Sequence, residues 1–244
     1  MEALQEWVAT QPPSEFLSLR HTLTRYLEAH RGNVEAAKAA LLASVAWRAA
    51  SLKPGFSCAP CAASPGEHCF VPLGADATGA MLVYGCPGRA SGSGDIESTV
   101  THVAHALDKQ FAGEESAAVP RQWVWVVDFS GFGLTHALQA RLGLSFGFMF
   151  RDHFPERLKK IVLINPPLLF RGLVSALSAI ADERTVAKLT PLMAATPEEA
   201  VGALRDRFDV HCEVVLAWLR AVLSSPPTPG TLPPLPPAAV ALQV

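Results

Sequence analysis

Two short segments are apolar at almost every position. Residues 123–129 read WVWVVDF and residues 160–165 read KIVLIN. A strand with one face in water alternates polar and apolar residues. These do not, so each needs cover on both faces. AMLVYG at 80–85 reads as a third buried strand. Helical patterns lie between them. IESTVTHVAHALDKQF at 96–111 puts Ile96, Val100, Val103 and Leu107 in one row, with Asp95 as cap. ALQARLGLSFGFMFRDHF at 137–154 predicts a long helix despite Gly143 and Gly147. Helices alternating with covered strands predict an α/β fold with a largely parallel sheet.

The flanks differ from this centre. EFLSLRHTLTRYLEAH at 15–30 spaces Phe16, Leu19, Leu23, Tyr26 and Leu27 as one helical face. Asn33 caps a second helix over VEAAKAALLASVAWRAA, and KPG at 53–55 ends it. Residues 1–55 thus form a small helical unit, and 56–223 form the main one. Its last helices are expected at 183–193 and 197–223, the latter opened by Pro197, Glu198 and Glu199. Residues 224–244 hold seven prolines between 226 and 237, and are expected to be an extended, disordered tail.

Half of the 244 residues are apolar and 17% are charged. No apolar run reaches the about 20 residues of a membrane span. The opening MEALQEWVATQPP has two acids and no base, unlike a secretory signal. The apolar surplus is therefore expected to line an interior cavity. A net charge of −2 gives no field to recruit nucleic acid. Residues 151–190 carry seven Lys or Arg against four acids, a local excess suited to an anionic headgroup or membrane surface. Five cysteines, an odd number, fit reduced thiols in the cytosol.

Catalytic motifs are incomplete. Ser130 follows a strand as a hydrolase nucleophile does, but Asp128 stands where the elbow needs glycine. SGSG at 91–94 lacks the lysine of a phosphate loop. Cys58, Cys61, His68 and Cys69 in CAPCAASPGEHC could supply four zinc ligands. The adjacent His68 and Cys69 make an awkward pair, so structural thiols and no metal are expected. His102 and His105 lie three apart on a helix with no third ligand evident.

Several segments together resemble the CRAL-TRIO family. TLTRYLEAHRGNVEAAKAALLASVAWRAA is similar to its N-terminal helical domain, with the closing Trp47-Arg48. WVWVVDFSGFGL resembles the family's strand ending in Asp. HFPERLKKIVLINPPLLF is similar to its Y-P-E-R-L, strand, N-A-P-x-x-F run, and IADERTVAKL to its D-x-x-T-x-x-K-I element. The cysteine loop followed by GADATGAMLVYG resembles a plant and algal branch. GAML at 79–82 departs from the usual G-R-P-V, but keeps the residues of a buried strand.

The resemblance implies a CRAL-TRIO fold, with helices over a mixed, mostly parallel sheet floor enclosing one apolar lipid. It implies lipid binding and exchange between membranes, not catalysis, and no cofactor beyond the lipid. The family's headgroup positions map to Glu156, Thr185 and Lys188, and to His30 where the family has a basic residue. Trp125, Val127 and Ile164 are expected in the pocket. The stripe Leu169, Leu173, Leu177 and Ile180, widened by Phe170, is expected to gate it, with Arg171 at the membrane interface. The expected partners are the lipid and, transiently, a membrane surface, for a cytoplasmic monomer that binds no nucleic acid. A scaffold that reads a partner protein, or an esterase acting through Ser130, are the alternatives.

Overall fold

The structure is a computed structural model. It describes residues 1–64, 66–92, 95–111, 121–137, 140–168, 170 and 183–236. Five strands form one sheet in chain order: β1 Phe70–Ala75, β2 Met81–Gly85, β3 Trp123–Asp128, β4 Leu158–Ile164 and β5 Leu189–Leu192. β1 is antiparallel to β2, and the other neighbours are parallel. The three strands read from the sequence are the central ones. The two outer strands are additions. Each carries a proline, Pro72 in β1 and Pro191 in β5. A proline removes one ladder donor and so belongs at a sheet edge. The helix expected at 183–193 is short, Glu183–Ala187. Beyond it the chain joins the sheet, and Ile161 donates its N–H to the Lys188 carbonyl at 2.9 Å.

Helices cover both faces. On one face lie α10 Pro197–Phe208 and α11 Glu213–Ser224. They pack on Val71, Leu82, Tyr84, Val126, Val162 and Ile164. The expected single helix 197–223 is two helices, because Asp209 turns into the left-handed region at φ 57°. A relative of the capping box starts α10, with Glu199 reaching the residue before the N-cap Thr196. Glu199 N–H donates to Thr196 Oγ1 at 3.2 Å, and Ala195 N–H donates to Glu199 Oε2 at 2.7 Å. On the other face, α6 Ile96–Phe111 and α8 Ala140–His153 pack on Met81, Val83 and Trp123.

The N-terminal helices are α1 Glu2–Ala9, α2 Glu15–Ser18, α3 Arg20–Ala29 and α4 Val34–Ser51. The expected helix at 15–30 is split at Leu19, which is extended. Asn33 caps α4 by accepting the Ala36 N–H at 3.0 Å. These helices gather around Leu4, Leu17, Leu23, Tyr26 and Leu41. They dock on the end of α8: Ser44 Oγ donates to the Asp152 carbonyl at 2.9 Å, and Trp47 stacks on His153 at 4.0 Å.

The proline-rich segment up to Pro236 is not the loose tail expected. Buried Arg89 holds it through the carbonyls of Val222 (2.8 Å), Ser225 (2.7 Å) and Thr231 (3.4 Å). Gly230 forms a bridge with Gly66, and Leu232 and Leu235 pack on the core. A Cβ on Gly66 would lie 2.5 Å from the Gly230 carbonyl carbon, so only glycine permits this approach. Residues 225–236 therefore form a strap across the molecule. The remainder of the tail, 237–244, lies outside the described residues.

Candidate functional site

A cavity of about 550 Å³ lies on the α8 side of the sheet. Its floor is Trp125 and Val127 of β3 with Ile161 and Leu163 of β4. Parallel partners face the same side, and Trp125 pairs with Ile161 and Val127 with Leu163. Ile164, expected in the pocket, has the opposite parity. It is 2% exposed and packs with Val162 against α10 and α11. A register shift between Trp123 and Val124 sets this parity, because β4 carries an extra residue there.

α8 forms the wall above the floor. Gly143, Phe146, Gly147 and Phe150 recur at three- and four-residue spacing and all line the cavity. The glycines leave volume that larger side chains would fill. Phe146 and Phe150 stack at 5.8 Å, and both meet Trp125 edge-on, at 5.6 and 5.9 Å. The Trp125 indole fits against β2 because residue 85 is glycine, where a Cβ would lie 2.7 Å from Nε1. Phe129, Phe132 and Phe170 close another side, with Phe170 edge-on to Phe129 at 4.7 Å. Of the expected gate residues, Phe170 lines the cavity. Leu169, Leu173, Leu177 and Ile180, together with Arg171, lie outside the described residues.

Polar and charged groups also line the cavity. His30, Glu156 and Lys188 are among them, from three distant parts of the chain. Lys188 Nζ is 3.9 Å from Glu156 Oε2, a loose pair with both side chains partly exposed. Backbone contacts fix both residues. The Glu156 carbonyl accepts from Gln122 Nε2 at 3.1 Å, and Glu156 itself sits at φ 57°. Arg25 Nη1 donates to the Pro155 carbonyl at 2.9 Å. Burial lowers the Arg25 pKa to about 10, so it remains a cation near this rim. His30 follows the last turn of α3 as its C-cap. Thr185 lies in α9 Glu183–Ala187, and its side chain is outside the description. Arg151 and Asp152, at the end of α8, line the cavity as well. They pair with each other at 2.6 and 2.9 Å. Their sequence signal was the charged dipeptide immediately before the HFPER segment.

The other sequence candidates fall elsewhere. Ser130 donates its N–H to Asp128 Oδ1 at 2.9 Å, while Tyr84 Oη donates to Asp128 Oδ2 at 2.9 Å. Asp128 therefore closes the turn after β3. Among the described residues, no histidine is hydrogen-bonded to the Ser130 hydroxyl. Cys69 is buried and packs with Val71 and Tyr84, outside the group that Cys58, Cys61 and His68 form. His102 takes its place: ligand atoms of Cys58, Cys61, His68 and His102 all lie within 4.8 Å of one another. His105 points elsewhere and stacks on Phe56 at 3.8 Å.

A mixed sheet, covered on both faces and holding an apolar cavity with a few charged groups, defines a protein with room inside for an apolar molecule. The chain belongs to the CRAL/TRIO family of lipid-binding and lipid-transfer proteins, whose domain matches residues 66–198. The solved structure of Sfh5 shares the fold at a TM-score of 0.59 and 14% identity, over 77% of this chain and 68% of that one. A search of curated proteins by sequence finds no match.

Proposed function

We propose that the protein binds one phospholipid and exchanges or presents it at membranes without chemically altering it. The observation that carries this reading is the meeting of a largely apolar, aromatic-walled cavity with His30, Glu156 and Lys188 on its lining. The volume of about 550 Å³ falls within the range of about 300–1,000 Å³ for ligand cavities. An acyl chain moving from a bilayer to such a cavity loses little, whereas exposure to water costs about 0.8 kcal/mol per methylene. Exchange therefore requires opening at the membrane surface, and the sequence of 168–180, with Arg171 as its one charge, is apolar enough for both environments. No helix among the described residues is long and apolar enough to cross a membrane. Transient docking from the cytosolic side is the mode this reading requires.

Lys188 neutralises a headgroup phosphate, while Glu156 and Thr185 accept or share hydrogen bonds with inositol hydroxyls. Native mass spectrometry of the purified protein should show one copurified lipid per chain. Vesicle-to-vesicle transfer of labelled phosphatidylinositol should fall about tenfold in Lys188→Ala, the loss of one charge-assisted hydrogen bond. Unchanged transfer would remove Lys188 from the site. An equal fall for phosphatidylinositol and phosphatidylcholine would limit it to phosphate recognition.

A further inference from the structure

We infer that Cys58, Cys61, His68 and His102 form a structural zinc site that fastens the loop before β1 to α6. The ligand atoms already stand near the edges of a coordination tetrahedron. Zn–S bonds of about 2.3 Å and Zn–N bonds of about 2.0–2.1 Å require ligand-to-ligand edges of about 3.3–3.8 Å. Cys61 Sγ is 3.3 Å from His68 Nδ1 and 3.7 Å from His102 Nδ1, and Cys58 Sγ is 3.5 Å from His68 Nδ1. The longest separation in the set stays within 4.8 Å, so small side-chain rotations close it.

Local structure explains the convergence. Cys58 caps the short helix α5 Ala59–Ala63 and Cys61 lies one turn on, which puts both thiols on one side. His68 approaches from the end of the loop, and His102 from the second turn of α6. The outer contact of His68 is that of a metal-bound imidazole. Its Nε2 faces Ser98 Oγ at 3.3 Å, leaving Nδ1 for the metal. A divalent cation replaces the thiol protons and balances two thiolates.

Two thiolates with two imidazoles select zinc, and four protein ligands leave no open position for chemistry. The site is therefore a fastening. It also bears on the cavity, because His68 and its neighbour Cys69 are part of the wall.

The test uses the full untagged chain from zinc-supplemented culture. Elemental analysis should give one zinc per chain, and Cys61→Ser and His102→Ala should each lower it by about tenfold or more. His105→Ala should retain it. Ser98→Ala should keep the metal but weaken its affinity about tenfold. Should the ligand variants fold poorly, chelator-treated wild-type protein is titrated with cobalt(II). One equivalent should then produce the intense visible bands of tetrahedral cobalt and a near-ultraviolet thiolate charge-transfer band. Substoichiometric zinc together with a weak octahedral cobalt spectrum overturns the proposal. So does full zinc retention in His102→Ala.

Discussion

His153 illustrates how a single side chain ties folding to pH. It sits between Trp47, which stacks on it, and Ser44 Oγ, 2.9 Å from its Nδ1. Burial lowers its pKa from 6.5 to about 4, with Asp152 opposing and Arg48 adding to the shift. The unfolded chain binds a proton at higher pH than the folded one. The stability from neutral His153 is thus complete above pH about 6.5 and is lost as pH falls toward about 4. Thermal unfolding across pH 7 to 5 should show this decline, and His153→Gln should reduce its slope, whatever its effect at pH 7. An unchanged slope would place the titrating group elsewhere. The charged lining and the floor of the cavity differ in how readable they are residue by residue. Glu156 and Lys188 were legible because a short motif carries them, and both line the cavity. Ile161 and Leu163 were not separable from Val162 and Ile164, because every position of KIVLI that follows the lysine is apolar. Parity comes from pairing with β3, which no local pattern encodes.

At the scale of elements, the strap 225–236 is the least expected feature. Prolines favour extended backbone with few internal hydrogen bonds, so composition alone indicates a loose tail. What secures it is distant in sequence: the Arg89 guanidinium and the bare backbone of Gly66. Replacing Arg89 with Met leaves several buried carbonyls without a donor. It should cost about 3 kcal/mol, or roughly 6–12 °C in Tm. Gly66→Val should spare the core and release the strap, seen as faster proteolytic cleavage within 225–236. Equal cleavage rates in the variant and the parent would mean the bridge holds little. The outer strands escaped notice for a related reason. β5 has four residues, LTPL, and β1 contains Pro72 and Gly74. Both score poorly as strands in isolation and exist because a neighbouring strand offers its ladder.

For the whole molecule, cavity volume sets what can be carried. The two glycines of α8 and the modest size of Val127 keep the space above the floor open. Val127→Trp should reduce copurified lipid several-fold while circular dichroism and the cooperativity of unfolding stay near those of the parent. A large loss of helix signal instead would show that Val127 serves packing alone.

The prolines of the two outer strands have a consequence for the protein in a crowded solution. A sheet ends either because something covers its rim or because the rim cannot accept another strand. Pro72 and Pro191 each remove one donor from a row that a foreign strand would have to match. Under the proposed function, opening an apolar interior to collect a lipid would be the protein's stickiest moment. Rims that refuse further strands would let it open and close without becoming a template for its own aggregation.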